Sequence, residues 1–476
     1  MTRPSPAAEV VLPALRWDAE RGFGHLAADI ERALALGVGG FILFGGEREA
    51  VRSLTDQLRA ASRTPLLIAS DLERGAGQQV RGLTGLPPLM GLAALGEDAV
   101  REAAKVTALE ARGVGINWVL APVADLDIEP DNPIVQTRAF GADPAVVGRL
   151  AVAWIGACQK EGVLACVKHF PGHGRTTRDS HAELPVVDVF PTVFATTDMV
   201  PFRAAIDAGV AAVMTAHVAY PELAGDQPAT YSATLLSGLL RSEFGHSGLV
   251  VTDALIMDGA LAGRTPGDSA VRALGAGCDL LLYPKDLDGV VAAVDAAAER
   301  DAAFAGRIEQ SRARRDAAAR LAKPPRPLDA EAMRRHEARG ADLARESVRL
   351  LRGMMPRVRG AVSVTVVDDD AGGPYTLPPR SVFAGELSSL GVEVRPSGGE
   401  RIVLLFADVK SWKGRAGLSP ESARHLEAAL AEPAVVVVFG HPRRLADVPG
   451  DHPVLCAWSG DETMQRAAAR RLTEAT

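Results

Sequence analysis

The sequence predicts an α/β protein: a (β/α)8 TIM-type barrel followed by a small α/β sandwich domain. Three observations support this prediction. Eight short apolar runs alternate with amphipathic stretches between residues 9 and 300, a proline-rich segment interrupts the chain at 323–327, and a strand–helix rhythm resumes after it. Alternating strands and helices are typical of parallel sheets covered by helices.

The eight runs of the first part have the length and composition of buried strands. Several are nearly all apolar, as expected of parallel strands covered on both faces. The runs are 10–15, 40–43, 65–70, 117–122, 163–167, 211–216, 248–252 and 279–283. Helical stretches separate most of them, and one is predicted to begin after Asp143 as N-cap, with Pro144 first, and to stop at Gly162. Eight such units predict a barrel, with a doubly wound open sheet as the alternative.

The second part begins with a stiff linker, because the prolines of 323–327 cannot remain helical. A helical stretch is predicted at roughly 329–352. Five further runs, at 362–367, 392–395, 402–407, 434–439 and 454–458, predict a small parallel sandwich without a glycine-rich phosphate loop. The predicted domains are therefore a catalytic barrel at 1–322, a linker and helix at 323–355, and a sandwich at 356–476.

Composition restricts the function classes. The 476 residues suit two or three domains, 47% are apolar, and the net charge of −7 comes without a dense Lys/Arg stripe, which argues against a nucleic-acid partner. The four cysteines sit in apolar contexts without a Cys-x-x-Cys pair, so they predict buried small side chains and not a zinc site.

The sequence also bears on location. No apolar stretch reaches the roughly 18 residues needed to span a bilayer, and the first residues lack the apolar core of a signal peptide. We therefore expect a cytoplasmic protein without a membrane partner. No cofactor is implied, and the oligomeric state stays open.

The loop after the run 163–167 holds the densest set of chemically capable side chains. It reads KHFPGHG from Lys168, and Asp179-Ser180-His181 follows. A cation, three histidines and a carboxylate thus share one loop at the end of a predicted strand, which is where α/β barrels build their active sites.

Polar side chains follow other predicted strands in the same way. The carboxyl ends of barrel strands meet at one mouth, so we expect these side chains to converge. They are Asp71 and Glu73, Asp125 with Arg138 further on, His217 and Asp253.

These blocks resemble glycoside hydrolase family 3, and more narrowly its bacterial β-N-acetylhexosaminidase branch. The loop 168–174 with 179–181 matches the motif of that branch, and 252–255 with Met257 matches the segment that holds the family's nucleophile. Two further blocks, 121–126 and 138–141, are also similar. The resemblance spans the barrel. It implies a retaining hydrolase that removes terminal β-linked N-acetylglucosamine from a small carbohydrate substrate, in the turnover of cell-wall fragments.

The resemblance also implies roles for individual residues. Asp253 is expected to be the nucleophile and His181, paired with Asp179, the acid/base; residues i and i+2 of an extended loop face the same side, which suits that pairing. Sugar-binding roles are implied for a further set: Asp71, Arg138, Lys168, His169, His217 and Met257.

The sequence departs from the branch after Asp71, where 72–79 reads LERGAGQQ. Gln79 stands where a sugar-binding arginine is expected, and Ala139 replaces a common serine. The exact sugar is therefore open. A β-N-acetylglucosaminide phosphorylase and a β-glucosidase of the same family remain alternatives.

Two hypotheses from other classes of function compete with the glycosidase. A metal-dependent barrel hydrolase would use His169, His173, His181 and Asp253 as ligands, but Lys168 beside them would repel a cation. A catalytically inactive sugar-binding protein would not need both Asp253 and the Asp179/His181 pair.

Overall fold

The computed structural model describes residues 5–180, 182–261, 263–373, 377–410 and 413–474. Its first part is a ring of parallel strands surrounded by helices. The strands are β1 (Val11–Leu12), β2 (Ala14–Arg16), β3 (Gly40–Phe44), β4 (Leu67–Ser70), β5 (Trp118–Val119), β6 (Leu164–Phe170), β7 (Ala212–Thr215), the small antiparallel pair β8 (Ala219–Tyr220) and β9 (Gly225–Pro228), β10 (Leu249–Val251) and β11 (Leu281–Leu282).

Backbone pairing closes the ring. Strands β2 to β7 and β10 form one parallel ladder, with β2 at one edge and β10 at the other. Strand β1, separated from β2 by Pro13, pairs in parallel with β11. A parallel bridge between Val251 and Leu280 joins β10 to the approach of β11. The predicted barrel is confirmed, and the open sheet is excluded because both edges are joined.

Helices cover the outside of the ring. They are α1 (Ala27–Leu36), α2 (Arg48–Ala61), α3 (Leu89–Leu95), α4 (Glu97–Gly113), α5 (Pro144–Lys160), α6 (Pro191–Thr196), α7 (Met199–Asp207), α8 (Pro221–Ala224), a π-helix (Thr234–Glu243), α9 (Asp258–Leu261), α10 (Pro266–Ala276), α11 (Leu287–Arg300) and α12 (Ala302–Leu321). The predicted start of α5 is confirmed, since the Asp143 side chain accepts a hydrogen bond from the Val146 N–H. Gly162 follows with a φ of 84°.

The second part is a six-stranded sheet between helices. Its elements are α13 (Ala330–Ser347), β12 (Arg349–Arg352), β13 (Val362–Asp368), α14 (Val382–Ser389), β14 (Val394–Arg395), β15 (Glu400–Ala407), α15 (Pro420–Ala429), β16 (Val435–Gly440), β17 (Val454–Cys456) and α16 (Glu462–Thr473). The strand order is β12-β17-β16-β15-β13-β14, and every pairing is parallel except that of β12 with β17.

Alternation along β15 shows why this sheet is a three-layer sandwich. Leu404 and Phe406 pack in one apolar cluster with residues of α13, α14 and α16. Val403 and Leu405 pack in the other, with Leu426 of α15. Successive side chains of a strand point to opposite faces, so both faces of β15 are buried.

The predicted helix at 329–352 is wrong at its end. Helix α13 stops at Ser347, and Val348 leaves the helical region with φ −61° and ψ 121°. Residues Arg349–Arg352 form β12, whose antiparallel pairing with β17 completes the sheet edge. A strand of the second sheet therefore lies inside the predicted 323–355 linker; the three domain boundaries themselves remain predictions.

Within the described ranges, no helix is both long and apolar enough to cross a membrane.

A buried carboxylate at the amino end of β11 generates a stability prediction. Asp279 is fully buried, and it accepts hydrogen bonds from Arg307 at 2.8 Å, Arg314 at 3.0 Å and Arg241. The Asp279→Ala substitution leaves these guanidinium groups without their shared anion, so we expect a loss of about 3 kcal/mol in the free energy of unfolding. Urea denaturation measures it. The control Asp56→Ala, which removes an exposed pair with Arg52, should change it by less than about 0.5 kcal/mol; equal losses would contradict the assignment.

Candidate active site

A cleft of about 560 Å³ opens at the carboxyl ends of the barrel strands. Both domains line it. The barrel contributes Asp71, Glu73, Arg138, Lys168, His169, His173, Ser180 and Asp253, and the second domain contributes Asp408, Val409 and Lys410. The predicted convergence at one mouth is therefore observed for Asp71 after β4, for Lys168 and His169, and for Asp253 after β10. Lys168 and His169 were predicted to follow their strand, but they lie within β6, which extends to Phe170.

Four charges form an ionic quartet (Asp71, Glu73, Arg138 and Lys168) at one side of the cleft. The Lys168 Nζ lies 2.7 Å from Asp71 Oδ1 and 2.7 Å from Glu73 Oε1. Arg138 donates to both oxygens of Glu73, at 2.9 and 2.8 Å. The sequence did not assign Glu73 a role, yet it is the member that contacts both cations.

Burial and charge set the protonation of the quartet. Burial acts to raise the pKa of Glu73, but Arg138 and Lys168 hold it well below its usual range. Burial acts to lower the pKa of Lys168, but Asp71 and Glu73 raise it above its usual range. Glu73 is therefore ionised and Lys168 protonated at neutral pH, and the lysine is a fixed cation at the cleft wall.

The side chain of Asp125 holds the carboxyl end of β6 in place through hydrogen bonds. Its Oδ1 accepts the backbone N–H of His169 at 3.2 Å and that of His173 at 2.7 Å. Its Oδ2 lies 2.6 Å from His169 Nδ1. Although burial acts to raise it, the pKa of Asp125 is lowered by the charge of His169 and the hydrogen bond between them. One carboxylate thus fixes both the ring of His169 and the backbone of the following turn.

The loop 171–180, called the catalytic loop because it leads to the predicted acid/base at position 181, is held by a second network. His173 Nδ1 lies 2.7 Å from Thr176 Oγ1, and its Nε2 lies 3.0 Å from Ser180 Oγ. Asn132 donates to the His173 carbonyl at 2.9 Å. Asp179 is 4% exposed and its carbonyl accepts from residues 182 and 183. His181 lies outside the described residues, so its predicted pairing with Asp179 stays a prediction.

Asp253 follows β10 and lines the cleft in a half-buried position. Its Oδ1 accepts the N–H of Ala254 at 2.7 Å. The segment beyond it is tied to the catalytic loop, because Gly259 N–H donates to the Ser180 carbonyl at 3.1 Å. A Cβ at Gly259 would lie 2.6 Å from that oxygen, so only glycine permits this approach.

Two predicted sugar-binding residues, His217 and Met257, are not among the described residues that line the cleft. His217 is fully buried, with its Nδ1 2.8 Å from Thr230 Oγ1. Met257 is 5% exposed just before α9. Gln79, where the family has an arginine, does line the cleft, and its Oε1 accepts the Gly45 N–H at 3.0 Å.

The second domain forms the outer wall of the cleft, which the sequence left undecided. Asp408, directly after β15, lies 3.3 Å from Lys410 Nζ and 3.8 Å from an Arg74 guanidinium nitrogen. The rule that predicted the barrel residues, a polar side chain after a buried strand, also marks Asp408. The position of Asp408 in the wall of the cleft depends on how the two domains pack against each other.

Over the described ranges no group of three or more His, Cys, Asp or Glu side chains is arranged to hold a metal ion.

Comparisons with known proteins identify similar sequences. The model of the glycosyl hydrolase family 3 N-terminal domain matches residues 26–315. A β-hexosaminidase of Thiobacillus denitrificans is 39% identical over 272 residues, which are 54% of this chain and 75% of that protein. A β-N-acetylglucosaminidase/β-glucosidase of Cellulomonas fimi is 40% identical over 265 residues; the match covers 53% of this chain and 47%, about half, of that longer protein.

A solved structure extends the likeness to both domains. The family 3 β-N-acetylglucosaminidase from Paenibacillus sp. str. FPU-7 superposes with a TM-score of 0.86 at 28% identity, over 99% of this chain and 97% of that chain.

The buried His173 generates a pH prediction. Burial, with the nearby His169, lowers the pKa of His173 from 6.5 to about 4. His173 therefore binds a proton below about pH 6.5 in the unfolded chain, but only below about pH 4 in the folded protein. Because the unfolded state binds more protons in this window, the free energy of unfolding decreases as the pH falls through it. Between pH 6.5 and 4.5, we expect the free energy of unfolding of His173→Gln to decrease by about 2–3 kcal/mol less than that of the wild type.

Urea denaturation at four pH values measures this difference. His425→Gln, at an exposed site on α15, should keep the wild-type slope. Parallel curves for wild type and His173→Gln would contradict the assignment.

Proposed function

This chain belongs to glycosyl hydrolase family 3, and from that premise we propose that it removes terminal β-linked N-acetylglucosamine with retention of configuration. The observation that carries the proposal is the cleft, in which Asp253 shares one lining with the ionic quartet and His169. A carboxylate in the same cleft as fixed cations and hydrogen-bonding groups suits a reaction in which a sugar is oriented and attacked at its anomeric carbon.

Asp253 is the proposed nucleophile. It follows β10, whose residues are fully buried, so the carboxylate projects from a rigid element. Attack by Asp253 on the anomeric carbon expels the leaving oxygen and forms a glycosyl ester. Water then attacks the same carbon and releases the carboxylate, and the two displacements together retain the configuration.

His181 is the proposed acid/base, with Asp179 as its partner. Protonated His181 would donate its proton to the leaving oxygen, and neutral His181 would then accept a proton from the attacking water. Support comes from its neighbour Ser180, which lines the cleft and is tied through Gly259 to the segment that carries Asp253. Asp179 would stabilise the imidazolium, as a carboxylate does in other histidine-based sites.

The remaining groups are proposed to bind the sugar. Sugar hydroxyls donate hydrogen bonds to Asp71 and accept them from Lys168 and Arg138. Asp125 accepts at Nδ1 of His169, which leaves Nε2 as the ring atom directed to substrate. Because the quartet holds its members before substrate arrives, little ordering is required on binding.

The proposed substrate class is inferred from the names of similar proteins. Several are named β-hexosaminidase, and the Paenibacillus structure is a β-N-acetylglucosaminidase. We propose that the physiological substrates are cell-wall fragments and that the enzyme works in the cytoplasm. Four free, buried cysteines are compatible with a reducing compartment.

Phosphorolysis is the second candidate. Arg74 and Lys410 bring two cations to the outer lining, and a histidine acid/base would repel an incoming phosphate less than a carboxylate would. Products formed with and without phosphate separate the two reactions. Hydrolysis gives N-acetylglucosamine in both cases, whereas phosphorolysis gives its 1-phosphate only when phosphate is present.

A panel of aryl β-glycosides (N-acetylglucosaminide, glucoside and xyloside) tests the nucleophile and the sugar together. We expect wild type to prefer the N-acetylglucosaminide and Asp253→Ala to lower kcat at least about 10⁴-fold, because no ester can form. Asp226→Ala, at an exposed site, is the control and should retain wild-type rates. Near-normal turnover by Asp253→Ala would end the assignment.

The leaving-group dependence of His181→Ala tests the acid. A leaving group of low pKa departs without protonation, so a dinitrophenyl glycoside should lose less than about tenfold in kcat/KM, and an alkyl or sugar glycoside about 10²–10⁴-fold. An equal loss for both substrates would argue against this role.

A further inference from the structure

An ion pair between a buried carboxylate and a half-buried guanidinium joins the second domain to the barrel next to the cleft. Asp127, 6% exposed, accepts hydrogen bonds from both terminal nitrogens of Arg443, each at 2.8 Å. His441 Nε2 lies 3.0 Å from its Oδ2. Arg443 also donates to the Asp127 carbonyl at 2.9 Å. We name these three residues the interdomain clamp.

The hydrogen bonds fix the form of His441. Its Nδ1 accepts the backbone N–H of Arg443 at 3.0 Å, so the ring proton sits on Nε2 and is donated to Asp127. Burial lowers the pKa of His441, which keeps the ring neutral. Asp127 is thus an anion between one guanidinium and one neutral imidazole, and its position is set by four hydrogen bonds from the second domain.

Asp127 lies two positions after Asp125, and only Leu126 stands between them. Asp125 sets His169 and the turn at His173. Between the carboxylates, the Leu126 carbonyl lies against Gly174 of the catalytic loop, where a Cβ would come within 2.0 Å of that oxygen. The segment 125–127 therefore contacts the second domain at one end and the catalytic loop along its middle, and it has no room to shift alone.

We propose that Arg443 and His441 are positioning residues: by holding Asp127 they fix the segment 125–127, and through it His169 and the catalytic loop. The inference rests on the proposed function for its kinetic readout. It assigns the second domain a role in turnover that is separate from its part in lining the cleft. Positioning matters because a small displacement of a catalytic group lowers a rate far more than it lowers ground-state affinity.

A second ion pair between the barrel and the segment that follows it lies elsewhere. Arg339 of α13 pairs with Glu102 of α4 at 2.7 Å on a half-exposed surface, away from the segment 125–127. Arg339→Met therefore removes a tether of similar chemistry without touching the clamp, and it is the matched control.

The test compares Arg443→Met, Arg443→Lys, His441→Ala and Arg339→Met in the full chain. Steady-state kinetics on an aryl β-N-acetylglucosaminide give kcat and KM, and urea denaturation gives the folded fraction. We expect Arg443→Met to lower kcat about 10–100-fold with KM changed less than about threefold. Arg443→Lys, which keeps the charge and one hydrogen bond, should recover part of kcat, and His441→Ala should show a smaller loss. Arg339→Met should match wild type.

A second readout does not depend on activity. In ¹⁵N-histidine-labelled protein, the Nδ1–H signal of His169 reports its hydrogen bond to Asp125, and the His169→Gln variant identifies it. We expect this signal to shift or broaden in Arg443→Met and to stay unchanged in Arg339→Met.

The outcomes are separable. A folded Arg443→Met with wild-type kcat and an unchanged His169 signal overturns the proposal, and so does an equal kcat loss in Arg339→Met. If Arg443→Met does not fold, the same comparison is decided by Arg443→Lys and His441→Ala. If wild type does not cleave the glycoside, the proposed function fails and the His169 signal alone decides the clamp.

Discussion

The buried lysine of the cleft wall is the constraint on which the active site depends. Lys168 contacts two carboxylates, Asp71 and Glu73, and Glu73 is shared with Arg138. Removing any one member would leave an uncompensated charge in a mostly buried setting, which is costly. The quartet therefore ties together the ends of β4 and β6 and the turn around Arg138. The proposed sugar site is therefore organised before a ligand arrives.

The barrel supplies that constraint through its backbone. Parallel strands joined in a closed ring bring their carboxyl ends to one mouth, so residues far apart in sequence meet there. Asp125 and Gly259 then connect neighbouring strand ends directly, the first through the backbone of β6 and its loop, the second through Ser180. The cleft is completed by the second sheet, whose own strand ends face the barrel at Asp408 and His441.

Much of this was predictable from sequence, for physical reasons. Strands buried on both faces are continuously apolar, so the eight barrel runs could be recognised in the sequence. Polar residues after several of these runs predicted that Asp71, Lys168 and Asp253 are neighbours. The end of α13 was not predictable in the same way. Arg349–Arg352 is partly exposed and becomes a strand only by pairing with β17, about a hundred residues further on.

The other features that the sequence did not predict also depend on contacts between residues far apart in the chain. Nothing near Glu73 in sequence indicates that it contacts both Arg138 and Lys168, and the outer wall around Lys410 depends on domain docking. The functional roles of Asp253, Asp179 and His181 come from family resemblance together with chemical need, and the covalent step is the one on which the proposed function stands.

Mass spectrometry of the protein quenched during turnover of a slow fluorinated N-acetylglucosaminyl donor tests that step most directly. The account predicts a mass increase of one fluorinated glycosyl group, mapped by proteolysis to the peptide that contains Asp253. A donor that is consumed without any adduct, or an adduct on a peptide that lacks Asp253, would contradict it.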